Sequence, residues 1–172
     1  MFRLKTAATA LGLVLVICLS AAAAQKTDLS GKWVMDKSKS EGLPPDMEQT
    51  MNITQKGDEL TIATTIKTDQ GERTLTDTYK LDGKSVEFNA SRPTPDGQTI
   101  EGKGTKTGKW STEGKELEIV QEEHLTVPTG EEVTIKITRK WHIAADGKSV
   151  TIDLTAETPN GPQSTKRLFV KQ

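Results

Sequence analysis

The stretch EVTIKITRKWHIAADGKSVTIDLTAET, residues 132–158, decides the fold. Apart from Arg139, apolar residues occupy every second position from Val133 to Ile143 and from Val150 to Ala156, which is the period of a β-strand with one buried and one solvated face. Asp-Gly between two such runs is a strong hairpin signal because both residues tolerate a positive φ. The segment therefore predicts two antiparallel strands joined by a tight turn.

The same alternation and the same kind of turn recur along most of the chain, which predicts about ten strands. We place them near residues 30–36, 47–55, 58–68, 72–81, 84–90, 98–110, 115–127, 131–144, 147–158 and 163–171. One solvated face per strand favours antiparallel sheets, and Pro44-Pro45 interrupts the best helical candidate. The sequence predicts an all-β, antiparallel up-and-down β-barrel of meander topology, in which closure removes the exposed sheet edges.

Two of the turns have similar flanks, residues 79–86 and residues 143–150. This similarity fits either a repeated hairpin unit or convergent turn chemistry. The predicted strand 98–110 also carries three glycines on one face, Gly102, Gly104 and Gly108. Glycine inside a strand relieves crowding at a bend or lets a ligand approach the backbone; we favour the bend.

The first 24 residues resemble a targeting segment. Arg3 and Lys5 precede an apolar run at 7–20, and four alanines then supply small residues for cleavage, a pattern typical of a secretory signal peptide. The alternative is an uncleaved anchor, although the apolar run is at the short edge of what spans a bilayer. We expect one barrel domain at 25–172, periplasmic or secreted, with no stable membrane span after cleavage.

Composition excludes several classes of function. The 23 Lys and Arg residues are interspersed with 24 Asp and Glu residues, so there is no basic patch that would indicate nucleic-acid binding. His124 and His142 fall on the outward face of their strands, and no nucleophile or phosphate-loop motif is present. We therefore expect no metal, no cofactor and no enzymatic activity, and the oligomeric state stays open.

The two ends of the domain resemble one superfamily. Residues 28–35, DLSGKWVM, resemble the Gly-x-Trp start of the calycins, which include lipocalins and fatty-acid-binding proteins. Residues 165–171, TKRLFVK, resemble the closing strand of the fatty-acid-binding branch, Arg-x-aromatic-x-Lys. In those families the tryptophan packs across the barrel floor and an arginine of the last strand lies against its ring. The resemblance thus implies a lipocalin-like barrel closed by Gly31, Trp33 and Arg167.

This chain departs from the fatty-acid-binding pattern in two places. Those proteins use a tyrosine two residues after the terminal arginine to hold a ligand carboxylate, and here that residue is Phe169. They also insert a helical lid between their first two strands. In this chain the corresponding segment, residues 36–48, is short and contains two prolines. The resemblance is therefore closer to a secreted bacterial lipocalin-like protein than to a fatty-acid carrier.

Polar residues at inward-facing strand positions are the candidate ligand contacts, because a barrel interior should be apolar. Arg139 lies between Ile137 and Trp141 on the face of its predicted strand that is otherwise apolar. An interior arginine can hold a carboxylate or phosphate in bidentate fashion. A buried charge needs a partner, so we favour an internal ion pair of Arg139 with Glu123 or Asp77, which a ligand could replace or bridge.

From these residues we predict a barrel that binds a small hydrophobic or amphipathic molecule. The expected contacts are Arg139, Tyr79 and Gln121 at its polar end and Trp141 and Phe88 as apolar wall. The alternative is that these aromatic residues are ordinary core, since a barrel of this size can be filled by its own side chains. A filled barrel would act as a protein-interaction or inhibitor module through loops such as residues 92–98.

Overall fold

The computed structural model describes residues 26–94 and 97–172, so the proposed signal peptide lies outside the described residues. Ten strands follow one another along the chain: β1 (Gly31–Glu41), β2 (Glu48–Lys56), β3 (Glu59–Thr68), β4 (Gly71–Lys80), β5 (Val86–Pro93), β6 (Thr99–Trp110), β7 (Glu116–Thr126), β8 (Glu132–Ile143), β9 (Ser149–Thr158) and β10 (Gly161–Lys171). Within the described ranges no helix is long and apolar enough to cross a membrane.

The strands form one antiparallel sheet that curls into a barrel, in the order β4-β3-β2-β1-β10-β9-β8-β7-β6-β5. The first and last strands pair, with Trp33 opposite Lys171. This confirms the predicted up-and-down barrel of about ten strands. The largest difference in strand bounds is at β1, which continues to Glu41. The Ser40 hydroxyl supports this extension by accepting a hydrogen bond from the Leu168 amide across an irregularity in the ladder.

The barrel has two ends that differ in their interior. We call the end with the turns at Gly57, Gly114 and Gly147 the apolar end, because one continuous cluster of buried side chains fills it. The cluster comprises Leu29, Trp33, Met35, Met51, Ile53, Leu60, Ile62, Tyr79, Leu81, Trp110, Leu117, Ile119, Trp141, Val150, Ile152 and Phe169. We call the opposite end, with the turn before Gly161, the polar end.

The seam between β1 and β10 differs from the one that the resemblance implied. The cation over the Trp33 ring is Lys171, whose Nζ lies 5.4 Å from the ring centroid. Lys171 is directly opposite Trp33 in the ladder, whereas Arg167 lies four residues nearer the polar end and faces the interior. Gly31 makes room for this contact, since a Cβ there would lie 2.9 Å from the Lys171 Cε.

Closure is incomplete between β4 and β5, where the sequence predicted no exposed edges. These two strands are the ends of the sheet and share no ladder. Near the apolar end the Gly83 amide donates to the Gly108 carbonyl at 3.0 Å, so the turn between β4 and β5 is hydrogen-bonded to β6. Further along, the Lys106 ammonium lies between the rings of Tyr79 and Phe88, 5.1 and 5.2 Å from their centroids. Side chains thus cover an edge that no strand pairs with.

The glycines of β6 relieve crowding inside the barrel. A Cβ on Gly104 would lie 2.6 Å from the Glu122 carbonyl oxygen and 2.7 Å from the Phe88 ring. A Cβ on Gly108 would lie 2.8 Å from a methyl carbon of Leu81. These positions therefore admit neighbouring backbone and side chains, in keeping with the structural interpretation of the sequence pattern.

Candidate functional site

A cavity of about 130 Å³ lies between the apolar cluster and the polar end. Its apolar lining is formed by Met51, Ile62, Ile66, Leu75, Ile119, Trp141, Ile152, Leu154 and Phe169. Its polar lining is formed by Gln49, Thr64, Asp77, Tyr79, Arg139 and Arg167. The barrel is therefore filled at its apolar end and has a cavity next to this filled part, towards the polar end. Charged groups face this cavity.

Arg139 enters this cavity without a partner. Its Nη1 is buried and makes no hydrogen bond to any described residue. Both expected partners are engaged elsewhere: Glu123 accepts bonds of 2.7 and 2.8 Å from Arg92, and Asp77 lies 3.6 Å from the Lys106 ammonium. The predicted ion pair of Arg139 with Glu123 or Asp77 is therefore wrong, because cations of β5 and β6 take both carboxylates.

Arg167 faces the same cavity from β10. Its Nη1 donates to the Gln49 Oε1 at 2.9 Å, while its buried Nε has no hydrogen-bond partner among the described residues. Burial, together with the nearby charge of Arg139, holds the pKa of Arg167 below its usual range. Two guanidinium groups with free buried N–H donors thus face one cavity, and no described carboxylate forms an ion pair with either.

Tyr79 adds a neutral polar group to the wall that β4 contributes. Burial is the main cause that raises the pKa of Tyr79 to about 12, and the charge of Arg139 acts in the opposite direction. The phenol therefore stays protonated at neutral pH and can donate a hydrogen bond. Tyr79 lines the same cavity as Arg139.

The structure brings three of the five predicted ligand contacts to the cavity: Arg139, Tyr79 and Trp141. Gln121 is buried on β7 and donates to Glu123, so it belongs to the Arg92 ion-pair network. Phe88 lies at the gap between β4 and β5, with Lys106 over its ring.

Among the cavity residues that the sequence reasoning missed are Arg167 and Gln49, which are hydrogen-bonded to each other. Arg167 was assigned to the seam on the strength of the resemblance, although it alternates with the fully buried Phe169. Gln49 was not considered, although it alternates with Met51 and Ile53 on the inward face of β2. In both cases the period-2 pattern contained the signal.

The donor set of the cavity suits an anion. Guanidinium groups and a protonated phenol offer hydrogen-bond donors, and the described residues contain no group of three or more His, Cys, Asp or Glu side chains arranged to hold a metal. The apolar lining below the arginines suits the carbon skeleton of a bound molecule. The site can therefore take a molecule with one charged end and one apolar end.

The strand order identifies the architecture as an antiparallel up-and-down β-barrel of ten strands. No protein-family model and no curated protein sequence matches it. Zebrafish ileal bile acid-binding protein, solved with cholic acid, is similar at a TM-score of 0.44 and 18% identity, over 84% of this chain and 98% of that chain. Secretory abundant heat soluble protein 4 of Ramazzottius varieornatus has a TM-score of 0.45 and 13% identity, over 85% and 96%.

Proposed function

We propose that this protein is a periplasmic or secreted binding protein that holds a small amphipathic anion inside its barrel. The observation that carries the proposal is the pair of buried, unpartnered donors, Arg139 Nη1 and Arg167 Nε, above an apolar cavity. The sequence of the first 24 residues supports the location.

Unpartnered buried donors are costly for the free protein. Each buried N–H without an acceptor costs about 1–3 kcal/mol, and more when the group is charged. The same barrel neutralises another interior cation: Arg92 makes two hydrogen bonds to Glu123, whose side chain is 3% exposed. Arg139 and Arg167 have no such carboxylate among the described residues, so an external anion is the group that would satisfy them.

The lining also orients such a ligand. Its anionic group would lie between Arg139 and Arg167, within reach of the Tyr79 hydroxyl. Its apolar part would contact Trp141 and Phe169, which are 2% and 0% exposed. The alternative role, a filled barrel that acts through loops such as residues 92–98, depended on a packed interior and loses that support because of the cavity.

The proposal is tested by calorimetric titration of the purified protein with small amphipathic anions, benzenesulfonate and octanoate, and by native mass spectrometry for co-purifying ligand. We expect saturable binding, and a loss of about 10- to 100-fold in affinity for Arg139→Met and for Arg167→Met, since a hydrogen bond to a charged group contributes about 1.5–3 kcal/mol. The control is Lys140→Met, because the Lys140 side chain is 59% exposed on the outer face.

Two results would overturn the proposal. One is the absence of saturable binding by the unmodified protein together with the absence of any co-purifying ligand. The other is anion binding that neither arginine substitution weakens relative to the control.

A further inference from the structure

The size of the cavity limits what it can hold. Its volume of about 130 Å³ is well below the roughly 300–1,000 Å³ of pockets for drug-sized ligands. It is close to the roughly 150 Å³ of a buried apolar cavity that binds benzene. The floor side chains Trp141 and Phe169 are almost completely buried in the apolar cluster, so the space does not continue downward. One aromatic ring or a short branched chain fills it.

Gln49 is a neutral hydrogen-bond partner of Arg167 in the lining of this cavity. It is only 7% exposed, and its Oε1 accepts the hydrogen bond of Arg167 Nη1. A glutamate there would have nearly the same size and would form an ion pair with Arg167, as Glu123 does with Arg92. The neutral amide fixes the guanidinium by one hydrogen bond and leaves its positive charge uncompensated.

The other charged groups that face the cavity do not cancel this charge. Asp77 is the acidic residue of the lining, and the Lys106 ammonium lies 3.6 Å from its carboxylate. Arg139 and Arg167 therefore remain as positive charges that no described carboxylate pairs with. Two adjacent guanidiniums above a benzene-sized apolar space fit a compact molecule with one anionic group.

We propose that the cavity selects a compact anion of about the size of benzoate, and that Gln49 sets this selectivity by orienting Arg167 without neutralising it. This inference rests on the proposed function and adds to it the size of the ligand and a positioning residue.

The size is tested by calorimetric titration of the purified protein with benzenesulfonate, benzoate, the neutral benzamide and dodecanoate. We expect the two compact anions to bind, and benzamide to bind about 10- to 100-fold more weakly because it lacks the charge. Dodecanoate should bind more weakly than benzoate because its chain exceeds the cavity. Tighter binding of dodecanoate than of benzoate overturns the inferred ligand size and leaves the proposed function standing. No binding of any anion overturns both the inferred size and the proposed function.

The role of Gln49 is tested with Gln49→Glu and the matched control Gln55→Glu. Gln55 lies on the same inward face of β2 but at the apolar end, where its Oε1 accepts from the Leu29 amide. We expect Gln49→Glu to weaken benzenesulfonate binding by about 10- to 100-fold, and Gln55→Glu to leave it unchanged. Benzamide binding should be the same in both variants and in the unmodified protein.

A pH series separates the charge effect from misfolding, because benzenesulfonate stays ionised throughout. In the Gln49→Glu variant, binding should recover as the pH falls and the new carboxyl becomes neutral, while Gln55→Glu shows no recovery. Binding of benzenesulfonate by Gln49→Glu at neutral pH with unchanged affinity overturns the role of Gln49. A loss that does not recover at low pH overturns it as well.

Discussion

Replacing Arg139 by methionine should stabilise the ligand-free protein. Arg139 has a buried Nη1 with no described acceptor, and its charge acts on the nearby Arg167, whose pKa is lowered by burial and by that charge. Methionine keeps an unbranched, flexible side chain in the space that the arginine stem occupies. The substitution therefore removes an unsatisfied donor and a like-charge contact while it keeps most of the packing.

The expected gain follows from these two changes. Removal of a buried donor without an acceptor recovers about 1–3 kcal/mol, and replacement of buried charged groups by apolar ones of similar volume is often neutral or stabilising by about 1–4 kcal/mol. We expect the free energy of unfolding to rise by about 1–3 kcal/mol. For a domain of this size each kcal/mol raises Tm by roughly 2–4 °C.

Urea denaturation at neutral pH measures this gain as a shift of the midpoint at constant slope. The control is Lys140→Met on the same strand, since Lys140 is exposed and its Nζ is 4.0 Å from Glu118. An exposed pair of this kind contributes about 0–1 kcal/mol, so the control should change little. If Arg139→Met instead lowers the free energy of unfolding by more than about 1 kcal/mol, Arg139 has a stabilising partner, and the anion site loses its basis.

Three further predictions follow from the same interior. Replacing Arg92 by methionine leaves the Glu123 carboxylate buried and unpaired, which should cost about 3–5 kcal/mol; calorimetry of this variant and of the double variant with Glu123→Met should show most of the loss recovered in the latter. Gly104→Ala would place a Cβ 2.6 Å from a carbonyl oxygen, so chemical denaturation should show a loss of roughly 1–3 kcal/mol, in contrast to the exposed Thr105→Ala. Tyr79 is the single tyrosine of the chain, so ultraviolet titration should find its pKa raised to about 12. Since this exceeds the ordinary value of about 10, the contribution of Tyr79 to stability should be complete below pH ~10 and fall as the pH rises through the folded-state pKa. Tyr79→Phe should remove that part of the loss.

Local sequence was sufficient to predict the strands but not all of their pairings. Two turns contain the same five residues, Asp-Gly-Lys-Ser-Val, beginning at Asp82 and at Asp146. The second forms a hairpin, in which the Ala144 amide donates to the Ser149 carbonyl at 3.0 Å. In the first, the Gly83 amide donates instead to the carbonyl of Gly108 on β6. The first turn is thus hydrogen-bonded to β6, a strand distant in sequence, so no local rule could have predicted the gap that follows.

The sequence predicts which side chains face the interior, because this follows from their alternation along each strand. Alternation alone turns Arg139 inward, and it does the same for Gln49 and Arg167. The pairing of interior charged side chains depends on distances across the barrel, and the alternation of residues along a strand does not give these distances. The two hydrogen bonds between Arg92 and Glu123 join the end of β5 to the middle of β7, a contact that sequence spacing does not indicate.

The contrast between the two halves of the barrel bears on how the proposed binding site is retained in a small fold. The apolar cluster buries Trp33, Trp141 and Phe169 almost completely, and hydrophobic burial of such side chains contributes about 1.5–3 kcal/mol each. That contribution is of the same size as the cost of each unsatisfied arginine donor in the polar half. A barrel filled from end to end would be more stable but would have no space beside Arg139 and Arg167. The half-filled interior is therefore the arrangement expected when the apolar end supplies the stability that the charged cavity reduces.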